Sequence, residues 1–338
     1  MQKDEIIITN AIVHILETSV GTPILSEYVL ERHEELNDLI RGHIYKVAAG
    51  DDLKNCVFSE GDESRLRELV LNYNEDDFVD FSKAAAVELY DIMYANPDIP
   101  SADFVVATFQ NEGKSYLALL KMNYKDSFIH MTMNADDGSN YNQIIMQHAT
   151  LPMASSKLSE AVIIDLEDYS IRIVEKKYEI NGVKANYLSE LYLKCHTKMS
   201  QKTKMNIVSR AVEQINHKYF EDDVEKQMEV KAAIETQIRE EGAITPAVLS
   251  EKLYEEYPTV KEEFEEKLEK YNLVHEEIKP QAEATVRKYQ KQYLKTDSGI
   301  EINIPMDEYN QNDNVEFITN PDGTISIMIK NINRLMSK

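Results

Sequence analysis

The spacing of apolar residues changes twice along the chain, and a chain that switches period in this way has to build sheet and helix layers separately. Up to about residue 180, short runs rich in β-branched and aromatic residues predominate. EIIITNAIVHIL (5–16), FVVATFQ (104–110), YLALLKM (116–122) and FIHMTMN (128–134) each read as strands. Asn111-Glu112-Gly113-Lys114 favours a hairpin between two of them. AVIIDLE (161–167) and SIRIVEKK (170–177) read as a further strand pair. Helical spacing occurs at 25–47, 62–74 and 82–94, the last stopped by Asn96-Pro97. From about 184 to 292 apolar residues recur every three or four positions among Glu and Lys. Thr245-Pro246 opens a helix there, and Tyr257-Pro258 interrupts the pattern. GIEINIP (299–305) returns to strand texture. VEFITN and TISIMIK flank Pro321-Asp322-Gly323 as a hairpin.

These patterns predict an α+β fold with a mostly antiparallel sheet domain at 1–180. A mainly helical, acidic region follows at 181–292. A C-terminal strand and hairpin at 293–338 is expected to pack back on the sheet domain, which makes the helical region an insertion. No apolar run approaches the roughly 20 residues that span a bilayer, and MQKDEIIIT lacks the layout of a secretory leader. The two cysteines, Cys56 and Cys195, are too few for a disulfide framework or a four-thiolate zinc site. A cytoplasmic chain with no membrane partner is the expectation.

Charge is distributed unevenly. The chain carries a net charge of -23, which repels polyanions on average. Residues 172–210 depart from that average. They hold nine cations (Arg172, Lys176, Lys177, Lys184, Lys194, Lys198, Lys202, Lys204 and Arg210) against Glu175, Glu179 and Glu190, a local net of +6. Residues 221–279 hold 18 acids against 8 bases. A phosphate responds to charges within a Debye length of about 8 Å at physiological salt, so the basic island is the candidate DNA-binding surface. Ser200 joins the nine cations as a candidate helix cap whose N-terminus favours an anion. The competing reading is a solvated face that balances nearby acids.

Catalytic signatures are sparse. The sequence has no G-x-x-x-x-G-K-[ST] loop, no G-x-G-x-x-G fingerprint and no G-x-S-x-G elbow. His33-Glu34-Glu35 does not continue to a second zinc-binding His. Cys195 and His196 are adjacent, and adjacent side chains diverge on a helix. No metal or cofactor is expected. Asp165 on one strand with Glu175 and Lys177 on the next would suit a Mg²⁺-dependent nuclease, in which carboxylates hold the ion and the lysine steadies water or phosphate. A solvent-facing strand alternation explains the same residues.

Three stretches carry a resemblance. LSEAVIIDLEDYSIRIV (158–174), YLSELYLKCHTKMSQKTKMNIVSRAV (187–212) and IEINIPMDEYNQNDNVEFITNPDGTISIMIKNI (300–332) resemble, in order and spacing, the bacterial nucleoid-associated protein family (NdpA/YejK-like). The resemblance covers the chain from about 158 to its end. It implies a cytosolic, nucleoid-located protein that binds double-stranded DNA, with links to chromosome organisation. It transfers no contact residue.

The leading expectation is therefore a non-enzymatic protein that binds double-stranded DNA with little sequence preference through the mid-chain basic surface. The alternatives are the nuclease and a protein-interaction scaffold acting through the acidic helices. A chromosome-maintenance protein and a second copy of the chain stay open as partners.

Overall fold

The computed structural model describes residues 1–31, 33–59, 64–134, 136–221, 223–311, 314–334 and 336. Parts of the expected segments, residues 32, 62, 63, 222, 312, 313, 335, 337 and 338, lie outside them. The chain divides into two units, Met1–Met199 and Ser200–Lys338. The sequence expectation placed the first boundary at 180.

In the first unit the chain runs through β1 (Ile7–Leu16), α1 (Glu34–Ala48), β2 (Lys54–Phe58), α2 (Arg65–Leu71) and α3 (Phe78–Ala95). Next come β3 (Ala102–Asn111), β4 (Lys114–Asn123), β5 (Lys125–Asn134), β6 (Asn140–Thr150), β7 (Ala161–Asp165) and β8 (Ile171–Val174). β9 (Tyr178–Ile180) and β10 (Val183–Ala185) form a small hairpin. A π-helical turn, Leu188–Leu193, leads to β11 (Cys195–Thr197).

Seven strands form one antiparallel sheet in the order β1-β3-β4-β7-β8-β2-β11. Glu112 and Gly113 take φ of 51° and 79°, the positive pair that lets a two-residue turn follow the twist of β3 and β4. Phe104, Val106, Leu117 and Leu119 pack with α2 and α3 on one face. Val105, Ala107, Ala118 and Leu120 pack with Ile40, Ile44 and Val47 of α1 on the other. Cover on both faces explains why β3 and β4 read as continuous apolar runs rather than alternating ones.

The helix expected from residue 25 begins instead at Glu34. Residues 24–30 run beside the edge strand β1. Ile24 and Ile15 exchange two backbone hydrogen bonds of 2.9 Å, and the Leu30 N–H donates to the Ala11 carbonyl at 2.8 Å. Those backbone groups satisfy an otherwise open sheet edge and so are not free for a helix.

Two polar groups are locked into this core. Glu160, fully buried, accepts hydrogen bonds from the Tyr187 hydroxyl (2.5 Å), the Tyr178 hydroxyl (2.8 Å) and the Asn123 amide (2.6 Å). The Lys121 ammonium lies 3.3 Å away. Burial pulls Lys121 below the ordinary lysine range, and Glu160 opposes that fall. His14, also buried, lies against Ser82 Oγ through Nε2 (3.0 Å), while its Nδ1 accepts from the Ser26 N–H (3.1 Å). The second contact makes Nε2 the protonated nitrogen, and Ser82 passes the chain on to the Val79 carbonyl.

The second unit contains α4 (Gln201–Tyr219), α5 (Val224–Glu241), α6 (Pro246–Tyr254), α7 (Pro258–Glu269) and α8 (Glu283–Gln290). β12 (Lys291–Lys295) and β13 (Glu301–Pro305) pair with each other. α9 (Met306–Gln311) precedes the β14 (Val315–Thr319) and β15 (Ile325–Ile329) hairpin. The apolar stripes of α4 to α7 close on one core around Ile215, Leu249, Tyr254 and Phe264. The terminal strands do not join the seven-stranded sheet as expected. Ile304 and Met306 pack on Met228 of α5 instead, because β12, read as the end of the helical stretch, is the partner that β13 required.

Burial, followed by the nearby Lys83 charge, lowers the His14 pKa from 6.5 to about 4, with Glu27 opposing. The unfolded chain takes up this proton near pH 6.5 while the folded state stays neutral to about pH 4. The unfolded state therefore binds more protons across that window, and stability falls as pH drops through it. The loss attributable to His14 is on the order of 2 kcal/mol. Urea midpoints at pH 7 and pH 4.5 should show this loss, and His14→Gln should flatten the difference between them.

Candidate nucleic-acid interface

Strand register brings two members of the basic island together. Arg172 of β8 pairs with Asn55 of β2. On the other side of β2, Thr197 pairs with Cys56, and the Lys198 N–H donates to the Asn55 carbonyl at 2.9 Å. Arg172, Asn55 and Lys198 thus occupy one row across three neighbouring strand positions. At about 4.8 Å per strand the two cations start roughly 10 Å apart. The next row on this face carries Val57 and His196, which pair across β2 and β11. Asn55, Val57, His196 and Lys198 are all exposed, Val57 by 62%. This end of the sheet face is open, whereas the same face at β3 and β4 is buried under α1. The Arg172 guanidinium lies 5.3 Å from the centre of the Tyr116 ring, a contact that holds a cation without neutralising it.

The remaining candidates have diverse settings. Lys176 lies 5.4 Å from the Tyr178 ring. Lys177 is exposed on the link between β8 and β9. Lys184 stands opposite Glu179 on the β9–β10 hairpin. Lys194 closes the π-helical turn in the left-handed region, with φ of 49°. Among the described residues no carboxylate lies within 4.0 Å of Arg172, Lys176, Lys177, Lys184 or Lys198, nor of Lys202 or Arg210 in the second unit.

Ser200 caps α4 as expected. Its hydroxyl accepts from the Thr203 N–H at 3.2 Å. Lys202 is exposed on the first turn. Lys204 is mostly buried and ion-paired with Glu276 at 2.5 Å, so its charge is already met. Arg210 opens onto a groove between α4 and α7, a cavity of about 280 Å³ that it lines with Gln214, Lys267, Lys270 and Tyr271. Lys267 donates to Gln214 at 3.1 Å and lies 3.6 Å from Glu263. No acid lines the groove itself.

Sequence reasoning did not single out Asn55, Val57 or His196, nor Lys267 and Lys270. β2 is five residues long and has no period of its own to betray it. Lys267 and Lys270 lie inside an acidic run, and only helix packing turns them away from it.

The nuclease arrangement does not form. β7 and β8 pair from Ala161↔Val174 to Ile164↔Ile171. Asp165 therefore sits at one end of the hairpin and Glu175 beyond the other, roughly 16 Å apart at about 3.3 Å per residue. The Glu175 carboxylate is fully buried. It receives the Lys54 ammonium at 2.8 Å and the Ser189 N–H and hydroxyl at 3.0 and 2.9 Å. Asp165 accepts from the Glu167 N–H at 2.9 Å and faces Lys114 at 3.6 Å. Both carboxylates serve the fold. Among the described residues no cluster of His, Cys, Asp and Glu could hold a metal ion.

A family model described as nucleoid-associated protein YejK matches residues 12–337. No curated protein matches the chain.

Removing the Glu175 carboxylate leaves Lys54 and two Ser189 donors without their acceptor. Glu175→Ala should lower the stability of the first unit by about 2 kcal/mol in urea titration. Millimolar Mg²⁺ should leave the wild-type midpoint unchanged. A Mg²⁺-dependent gain that disappears in Glu175→Ala would reverse this assignment.

Proposed function

We propose, from the premise that the chain belongs to the nucleoid-associated protein YejK family, that it binds double-stranded DNA without catalysis and with little sequence preference. The observation that carries the reading is the row of Arg172, Asn55 and Lys198 on an open sheet face. Two cations and an amide there meet no neighbouring carboxylate among the described residues. These groups suit phosphate and sugar oxygens, contacts that fix a duplex without reading its bases. The groove of Arg210, Lys267 and Lys270 supplies a second phosphate-binding surface. Lys176, Lys177, Lys184, Lys194 and Lys202 extend the two surfaces, while Lys204 contributes little because Glu276 already neutralises it.

A chain of net charge -23 can bind this way because screening makes the local field decide. The acidic surplus still weakens long-range attraction, so affinity is modest and fades quickly with salt. No described helix is long and apolar enough to cross a membrane. The apolar stripes of α4 to α7 are consumed by their own core, so a scaffold partner would have to meet charged helix faces. The nucleoid is the location that the family supports, and a chromosome-maintenance partner is compatible with it.

Arg172→Glu with Lys198→Glu should weaken duplex binding about tenfold or more at low salt. It should also flatten the salt dependence by nearly two phosphate contacts, each contributing a slope of about -0.9. Lys204→Gln should leave affinity within about twofold of wild type. A mobility-shift titration at several salt concentrations measures both. If the double variant binds like wild type, the sheet face is not the DNA surface.

A further inference from the structure

The chain has two cysteines, Cys56 and Cys195, 139 positions apart in sequence, and the fold brings them into contact. Cys56 lies on β2 and Cys195 on the neighbouring edge strand β11. The register pairs Cys195 with Phe58 and Thr197 with Cys56, so the two cysteines are diagonal neighbours. Their side chains therefore share one face of the sheet. The Sγ atoms are 3.0 Å apart, about 1 Å beyond the roughly 2.05 Å of a disulfide bond. Both are free thiols, and their residues are only 5% and 8% exposed. A core residue touches about 6–12 others, so the meeting of the only two cysteines in 338 residues is not a common accident.

Two thiolates need further ligands to hold zinc. His196 alternates to the opposite face of β11, and among the described residues no cluster of His, Cys, Asp and Glu could hold a metal ion. A bond between the two sulfurs needs no further residue. Access to them is set by β11, which is three residues long and lies at the edge of the sheet. Two backbone hydrogen bonds flank its register pairs, Ser59 N–H to the Lys194 carbonyl at 3.2 Å and Lys198 N–H to the Asn55 carbonyl at 2.9 Å. So short an edge strand opens locally without unfolding the unit. Opening carries Cys195 away from Cys56 and toward solvent. While β11 is paired, contact with the Cys195 thiol, followed by burial, pushes the Cys56 thiol above its ordinary range. Thiolate chemistry therefore waits on opening.

We infer that Cys56 and Cys195 form a reversible disulfide that fastens β11 to β2. The oxidant is a low-molecular-weight disulfide. Cys195 loses its proton, and its sulfur attacks one sulfur of the small disulfide. The small S–S bond breaks, one small thiolate leaves and takes up a proton, and Cys195 is held as a mixed disulfide. Cys56 then loses its proton and attacks the Cys195 sulfur, displacing the second small thiolate, which is protonated in turn. The two protein thiols give up two electrons and two protons, and the small disulfide becomes two thiols. In a reducing compartment such a bond is transient and responds to the supply of oxidant. Lys198 follows the fastened strand directly, so the bond holds this cation beside Asn55. The link to DNA rests on the function proposed above, whereas the bond itself does not.

Oxidised glutathione added to the folded full chain tests the bond. The intact mass should fall by two hydrogens, proteolysis should yield a peptide joining Cys56 to Cys195, and dithiothreitol should restore the starting mass. Amide exchange at residues 195–198 should slow by about tenfold or more on oxidation. Cys56→Ser should stop at the mixed disulfide, its mass raised by one glutathionyl group. Should serine disturb the core, Cys56→Ala reads the same step. Two thiols still free after exposure to oxidised glutathione, or a bond found only between two chains, overturns the inference. Exchange at residues 195–198 that is unchanged in the oxidised chain overturns it equally, because β11 is then not held. None of these outcomes depends on DNA, whose surface the Arg172 and Lys198 variants test separately.

Discussion

The Glu160 carboxylate lies at the start of β7 with no exposure to solvent, and three donors and one ammonium converge on it. Two of those donors, Tyr178 and Tyr187, belong to the segment that leaves the sheet after β8 and returns to it as β11. The others, Lys121 and Asn123, belong to β4. A buried carboxylate with any of these partners missing would be strongly unfavourable. The network therefore fixes where residues 178–187 cross the sheet. Burial, together with Glu160, keeps both tyrosines protonated by pushing their hydroxyls above the ordinary phenol range. Through that crossing it sets the position of the π-helical turn, of β11, and finally of Lys198 beside Asn55.

A second buried carboxylate works in parallel. Glu175 ties β2, through Lys54, to the start of the π-helical turn, through Ser189. Together Glu160 and Glu175 show how an acidic chain spends part of its negative charge internally. Of the three acids within the basic island, Glu175 is turned inward, while Glu179 and Glu190 stay at the surface. Glu175 is consumed by Lys54 and Ser189, and the Glu190 carboxylate accepts the Asn186 N–H. The cations beside them are left on the surface. Burial of Glu175 removes one acid from the island and Glu276 cancels one of its cations, Lys204, so the local surplus of positive charge stays near the one that the composition of residues 172–210 gives.

The helical unit follows the opposite rule. Its lysines are matched to its acids along and between helices, as in Lys218 with Glu263 and Lys204 with Glu276. Lys226 is held under Phe220, Tyr254 and Tyr257 at 5.1 to 5.8 Å from their ring centres. It also donates to the Leu253 carbonyl at 3.0 Å. Such matching lets an acidic bundle close its core without accumulating repulsion, and Arg210 and Lys270 are among the cations it leaves outside the pairing among the described residues.

The sequence by itself determined the layers. β-branched runs with Asn111-Glu112-Gly113-Lys114 between them specified the β3–β4 hairpin, and Pro321-Asp322-Gly323 specified β14–β15, because turn chemistry and side-chain period act over a few residues. It also located the surplus of positive charge near residues 172–210. Only the tertiary structure decided which of those cations share a surface. Arg172 and Lys198 meet across β2, whose residues lie more than 100 positions earlier in the chain, and no local pattern encodes that register. The same long-range pairing separated Asp165 from Glu175, matched β13 with β12, and drew residues 24–30 along β1 in place of a helix. In each case a backbone or buried polar group had to find its hydrogen-bond partner far away in sequence, and that requirement outweighed the local period.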